Sequence, residues 1–334
     1  FHVYKNDREA RQIADERAAA AADLARAINA HVVVYGQVTP GGSANDLQIE
    51  LYVSPQASAD ELGGLVGGYA LGNALRLPLA FDTSNPRANI TISNQLALRS
   101  RILFWLTMGL TQDLLGSNDQ ALATLEQAEQ ALQGWPESDG KELLYYLQGR
   151  QLLFLDRPDE AQQALQRALA VNPDFARAVV ALGSVDVQRA NQMRDDAARL
   201  APDAPLARAI QAQRRGLALA EAAEDCYTAA VARTALAQSL DVLCISHFNA
   251  GQIAEAGAAC AEAAARADEA IAFLETTQEH RLLAQAWLAH GLAHYGQDFV
   301  AAAAGDAAGA RAETEAAIAS FQQCISLGEA AFFD

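Results

Sequence analysis

The sequence predicts a mostly α-helical fold, a right-handed solenoid of helical hairpins preceded by a small, partial α/β domain. Three observations support this prediction. Strand-like segments occur within the first eighty residues and are not found after them. From about Asn94 onwards, segments of roughly 12–20 residues rich in helix-forming Ala, Leu, Gln, Glu and Arg follow one another, separated by Gly and Pro. Glycine-centred motifs recur in this second region, and Gly149 and Gly183 lie 34 residues apart.

The composition limits the classes of function before any motif is considered. The chain has 334 residues, of which 51% are hydrophobic and 19% charged, and its formal net charge is −17. This apolar content is too high for a disordered chain. Because the negative charge repels phosphate, nucleic acid is not expected as a partner. Every long apolar run is interrupted by polar residues, so no membrane insertion is expected within the chain.

Residues 1–80 predict the partial α/β domain, in the order strand, helix, strand, strand. The chain starts in mid-pattern, because Phe1-His-Val-Tyr4 is strand-like with nothing before it, as expected for a fragment of a longer protein. Asp7 to Ala30 follows as an Ala- and Arg-rich helix. His31 to Val38 and Leu47 to Val53 are β-branched or alternating segments on either side of a glycine-rich connection, which predicts a hairpin.

Residues 94–328 predict the solenoid, with residues 81–93 as a linker before it and residues 329–334 as a tail. Each hairpin motif places a small residue in its first helix and spaced alanines in its second. The small residue lets the two helices of a hairpin approach closely, and the alanines let the next hairpin stack on them. The two clearest motifs are Trp105-x2-Met108-Gly109 with Ala121-x3-Leu125-x2-Ala128, and Tyr145-x2-Gln148-Gly149 with Ala161-x3-Leu165-x2-Ala168.

These motifs resemble the tetratricopeptide repeat family, whose 34-residue pattern is W-x2-L-G-x2-Y, then A-x3-F, then Ala and Pro. The resemblance covers about two thirds of the chain. It is strongest around Gly109 and Gly149, and looser around Gly183, Cys244 and Gly291. It implies four to six helix pairs and a concave surface, lined by the first helix of each pair, that binds proteins or peptides.

The amino-terminal region resembles the α/β domain found in TolB amino-terminal and related bacterial envelope proteins. The matching residues are the end of the predicted helix, the segment Ala27 to Gly36, and Leu47-Gln-Ile-Glu-Leu51 after a turn. The leading strand and helix of that family are missing from this chain.

A peptide-binding groove is the strongest candidate site, and the tetratricopeptide resemblance places it on the first helices. An apolar and aromatic surface with two arginines suits a peptide that carries apolar side chains and an acidic group. An alternative is that Leu103, Leu106 and Leu110 pack against the α/β domain instead. The candidate groove residues are Leu106, Leu110, Tyr146, Arg150, Phe154 and Arg177.

Other residues with chemical potential are expected to have structural roles. His290 and His294 are one helical turn apart, but no HExxH motif accompanies them, so they are expected to pack rather than to bind metal. The glycines from Gly63 to Gly72 lack the GK[ST] of a phosphate loop and predict a flexible or tight turn. The four isolated cysteines are expected to be small buried hydrophobic residues: Cys226, Cys244, Cys260 and Cys324.

The sequence therefore predicts a non-catalytic scaffold that binds a peptide or a partner surface in the concave groove, with no cofactor and no metal. Proteins or peptides are the expected partners, and self-association is a further expectation. Two other functions stay open. One is a regulatory or sensor segment of a larger multidomain signalling protein. The other is a self-assembling structural protein whose solenoids stack end to end. No compartment is predicted.

Overall fold

The computed structural model describes residues 7–40, 44–54, 65–72, 74–78, 86–132, 141–277 and 279–333, which form twelve helices and four strands. The amino-terminal elements are α1 (Asp7–Ile28), β1 (Val32–Pro40), β2 (Ala44–Val53), β3 (Gly67–Ala70) and β4 (Leu75–Pro78). They are followed by α2 (Pro86–Leu114), α3 (Asn118–Ala131), α4 (Glu142–Phe154), α5 (Pro158–Val171), α6 (Ala176–Gln192) and α7 (Asp196–Arg199). The remaining helices are α8 (Pro205–Ala222), α9 (Cys226–Asn249), α10 (Ile253–Leu274), α11 (His280–Ala303) and α12 (Ala307–Phe333).

The sheet is antiparallel and is built around β2. The predicted hairpin is confirmed, because β1 pairs with β2 in a register that places Val38 opposite Leu47. The other edge of β2 pairs with β3 near Val53 and with β4 near Ala44. The flexible or tight turn predicted from Gly63 to Gly72 was therefore wrong for Gly67–Ala70, since pairing with a formed strand outweighs the low strand propensity of glycine. The strand expected at residues 1–4 lies outside the described residues.

The two faces of the sheet pack against different parts of the chain. On one face, Ala21 and Ala25 of α1 cluster with Val33 and Tyr52. The residues of the other face, such as Leu51, belong to the main hydrophobic cluster together with buried leucines of α2, α3 and α4. Sheet and solenoid therefore share one core rather than forming two separate ones.

The described helices after the sheet form five hairpins: α2/α3, α4/α5, α6/α8, α9/α10 and α11/α12. This arrangement confirms the helical-hairpin solenoid and its tetratricopeptide-like character. At the centre of the hairpin α4/α5, a Cβ atom on Gly149 would lie 2.7 Å from Cγ of Leu165. A Cβ on Gly291 in α11 would lie 2.5 Å from the Phe321 ring of α12. At these glycines the paired helices leave no room for a side chain.

In the hairpin α9/α10, a covalent bond joins the two helices. Cys244 and Cys260 form a disulfide between the two helices, with their Cα atoms 5.3 Å apart. The expectation that all four cysteines are small buried hydrophobic residues was therefore wrong for this pair. It was also wrong for Cys226, which is exposed, and Cys324 is only partly buried. Hairpin pairing brings positions 16 residues apart into contact, a relation that isolated cysteines do not reveal.

One described helix, α9, is long and apolar enough by its composition to cross a membrane. Its most apolar window has a mean hydropathy of 1.2 and is 61% buried within the chain. The helix packs against α8, α10 and α11, which is the ordinary environment of a core helix.

Candidate functional site

A cavity of about 410 Å³ lies on the side of the solenoid that is formed by the first helices of the hairpins. Its walls come from α4, α6, α9 and α11, with one residue of α8. Five elements that are far apart in sequence therefore converge on one space. Its size falls within the range of about 300–1,000 Å³ that is usual for ligand pockets.

The α4 wall presents three of the predicted groove residues on one helical face: Tyr146, Arg150 and Phe154. The Arg150 guanidinium lies 4.6 Å from the centroid of the Phe154 ring and pairs with the buried carboxylate of Asp113 in α2. Phe154 is 46% exposed, whereas Tyr146 is buried and packs edge-to-face on Phe175. Phe154 is thus the α4 side chain most available to a ligand.

Arg177 of α6 lines the same cavity but also joins the solenoid to the sheet. Its Nη2 donates a hydrogen bond to the carbonyl oxygen of Val66 at 2.6 Å, and its Nη1 donates to the hydroxyl oxygen of Tyr69. The same Nη2 lies 3.5 Å from Oδ2 of Asp225. Burial raises the pKa of Tyr69 well above its usual value, so the phenol stays neutral. Arg177 therefore holds β3 in place.

Leu106 and Leu110, the remaining predicted groove residues, do not line the cavity. They are 1% and 2% exposed and belong to the same hydrophobic cluster as Leu51 and Val53 of β2. The expectation that they face a peptide is therefore corrected, because the α/β domain and the first hairpins bury both side chains. This is the packing that the sequence left open as an alternative.

The sequence did not point to the glutamines that line the cavity. Gln213 of α8 is 1% exposed, and within the described structure its Oε1 has no hydrogen-bond partner. Gln188 donates from Nε2 to the Leu153 carbonyl at 3.1 Å, and its Oε1 is also without a partner there. Gln238 and Gln285 complete the set. Gln213 lies against Gly183 where α6 and α8 meet, so the glycine motif was the signal that could have located this glutamine. The two residues are 30 positions apart, however, which departs from the regular spacing between the glycine of a first helix and its contact in the second helix.

His290 and His294 of α11 lie outside the cavity and link α10 to α12, since Nε2 of His290 lies 3.1 Å from Asp268 of α10. Their Nε2 atoms are 3.2 Å apart, His290 reaches Ser320, and His294 reaches Glu313 at 2.5 Å. Burial, with a further contribution from His294, lowers the pKa of His290. Over the described ranges, no group of three or more His, Cys, Asp or Glu side chains is placed to hold a metal ion.

Comparison with known proteins gives likenesses of fold. No protein-family model matches the chain, and no curated protein matches it. A crystal structure of MamA protein is 16% identical, over 68% of this chain and 92% of that chain, with a TM-score of 0.37. The type IV pilus biogenesis factor PilW is 17% identical, over 64% and 90%, with a TM-score of 0.36.

A thermophilic TPR protein in Thermus thermophilus is 19% identical, over 65% of this chain and 98% of that chain, with a TM-score of 0.38. TM-scores below 0.5 carry no information about what this chain binds. The tetratricopeptide-like character stated above rests on the hairpin geometry of the chain itself. The likeness of residues 1–80 to the TolB amino-terminal domain stays a prediction.

Proposed function

We propose that this chain is a non-catalytic scaffold that binds a peptide segment of a partner protein in the cavity between α4, α6, α9 and α11. The observation that supports the proposal most directly is the cavity itself, which is partly open to solvent and lies on the face built by the first helices of four hairpins. Protein or peptide partners also agree with the repeat architecture, in which stacked hairpins present an extended surface.

The chemistry of the walls favours a polypeptide ligand. Phe154, Val180 and Val231 offer apolar contacts, as expected for a site that buries a hydrophobic side chain. The unpartnered oxygens of Gln188 and Gln213 require donors, and the amide groups of a peptide backbone supply them. Arg150 on α4 and Arg177 on α6 also border the cavity, but each is paired with a carboxylate, Asp113 and Asp225, so the glutamine oxygens carry most of the polar demand of the walls.

The choice of variant matters, because most wall residues also support the fold. Substituting Arg150 strands the buried Asp113 carboxylate, and substituting Arg177 releases β3. Phe154 has no such second role beyond its contact with Arg150. Phe154→Ala therefore removes ligand contact with the smallest expected change in the fold.

The test is panning of a phage-displayed library of random dodecapeptides on the purified chain, followed by calorimetry with the synthetic form of the enriched peptide. We expect peptides with a large apolar residue to be enriched, and Phe154→Ala to weaken their binding at least tenfold, or about 1.4 kcal/mol. Tyr295→Ala is the matched control, since Tyr295 is an equally exposed aromatic outside the cavity. No enrichment, or equal losses in both variants, contradicts the proposal.

A further inference from the structure

The first and last helices of the described hairpins, α2 and α12, expose apolar side chains on the faces that no other hairpin covers here. Phe104 and Met108 lie on one face of α2 and are 55% and 40% exposed. Ile318 and Ile325 lie two turns apart on one face of α12 and are 51% and 59% exposed. An apolar face on the first or last helix of these five hairpins is a surface that another helix can cover.

The repeat itself shows what normally covers the α2 face. When α2 is aligned on α4 through Gly109 and Gly149, Phe104 corresponds to Leu144 and Met108 to Gln148. Leu144 and Gln148 are only 2% and 4% exposed. Nε2 of Gln148 donates to Glu129 at 2.9 Å and to the Leu125 carbonyl at 3.3 Å, both in α3. The equivalent face of α2 is therefore shaped to receive the second helix of a preceding hairpin.

A second alignment, of α12 on α3, shows what normally covers the α12 face. Aligning α12 on α3 through their junction residues, Phe321 and Leu125, places Ile318 at the position of Leu122 and Ile325 at that of Glu129. Leu122 is 6% exposed and Glu129 contacts Gln148 of α4. The outer face of α12 is therefore shaped to receive the first helix of a following hairpin.

These two faces are complementary to each other. We propose that α12 of one molecule stacks on α2 of a second copy, so that the hairpin array continues from one chain into the next. In this contact, Ile325 and Met108 take the places that Glu129 and Gln148 occupy between α3 and α4. A polar pair inside the array thus becomes an apolar pair at its ends, which suits an interface between separate chains. Because the contact joins two different surfaces, it generates open chains or rings rather than a closed symmetric dimer.

The test is sedimentation velocity on the 334-residue chain over a series of concentrations, with Met108→Glu and Ile325→Glu variants. We expect the mass of the parent to rise with concentration beyond that of a dimer. Each variant alone stays monomeric, because a carboxylate buried against an apolar face weakens association at least ~100-fold. An equimolar mixture of the two variants forms dimers and nothing larger, since each supplies one intact face. Circular dichroism of each variant verifies the helical content.

Leu288→Glu is the matched control, because Leu288 is as exposed as Met108 but lies on α11, away from both end faces. It should assemble as the parent does. A parent that stays monomeric at every concentration overturns the proposal. So does a variant that dimerises alone, which indicates a symmetric contact, or a mixture that remains monomeric. Phe154→Ala leaves assembly unchanged, so this proposal and the peptide-binding proposal fail independently.

Discussion

Two hairpins of this solenoid bring their paired helices into close contact in different ways. In α4/α5 the helices meet where Gly149 contacts Leu165, and in α9/α10 they meet where Cys244 is bonded to Cys260. Both pairs are separated by 16 residues, so they occupy equivalent positions in their hairpins. The geometry of the hairpin is therefore set by close approach at this position, whether a missing side chain or a covalent bond provides it.

The difference between them lies in what the junction does for the next hairpin. A Cβ on Gly149 would meet atoms of its own hairpin partner, α5. At the disulfide, a third helix takes part, because a Cβ on Gly296 of α11 would collide with Sγ of Cys260 and lie 3.0 Å from Sγ of Cys244. The disulfide thus organises the stacking of two hairpins as well as the closure of one.

The largest expected effect comes from removing the covalent junction. The double variant Cys244→Ala/Cys260→Ala should lower the free energy of unfolding by about 3 kcal/mol, the usual contribution of a disulfide that closes a loop of this length. Urea unfolding measures the loss, and a reductant should produce a similar loss in the parent. Cys226→Ser should keep the reductant sensitivity of the parent. A parent with four reactive thiols after unfolding would show that the bond is absent.

The stability of the junction between Gly149 and Leu165 should be sensitive to an added side chain and insensitive to reductant. Gly149→Leu forces α4 away from α5, because its Cβ meets Leu165 at 2.7 Å and the Ala161 carbonyl at 3.3 Å. We expect a loss of about 2–3 kcal/mol in urea unfolding. Gly328→Ala is the control, since that helical glycine has open space around it and should gain roughly 0.5–1 kcal/mol. Equal effects at both glycines would refute the assignment of the junction.

Buried charged groups of this protein also differ in their partners, and pH can test this difference. Arg177 donates hydrogen bonds to Val66 and Tyr69, whereas Glu279, immediately before α11, is buried and its Oε1 has no hydrogen-bond partner within the described structure. Burial raises the pKa of Glu279 to about 7. Since this folded-state value is above that of an unfolded glutamate, the contribution of Glu279 to stability is most favourable at low pH and is lost as pH rises through 7.

Glu279→Gln should remove this pH dependence, which we expect to be on the order of 2 kcal/mol between about pH 5 and 8. Thermal unfolding at a series of pH values measures it. Glu255→Gln, at an exposed position in α10, should retain the parental profile. If the two variants follow the same profile, Glu279 is not the group that titrates.

The smallest effect tests the role of the disulfide in stacking. Gly296→Ala adds one methyl group against the two sulfur atoms and should cost about 1–2 kcal/mol, as overpacking usually does. Combined with Cys260→Ala, which removes the nearer sulfur, the same substitution should cost less than it does alone. Strict additivity in urea unfolding would argue that α11 does not rest on the bond.

Much of the architecture was accessible from local patterns. The alternation in Leu47 to Val53 predicted β2, and the glycine motifs predicted the junctions at Gly109 and Gly149. Of the six predicted groove residues, Tyr146, Arg150, Phe154 and Arg177 meet at one cavity. The glutamines that line it with them were missed, because a polar residue on a helix carries no local sign of which helix it faces.

The sequence by itself determined the helical hairpins of this protein, since helix propensity, apolar periodicity and small residues at close contacts all act within a few turns of chain. Tertiary structure alone decided the pairing of β3, the burial of Leu106 and Leu110, and the cavity. These features depend on contacts such as the hydrogen bond from Arg177 to Val66, which joins residues 111 positions apart. No short-range pattern encodes such a contact, because the free energy that stabilises it comes from burying two distant surfaces together.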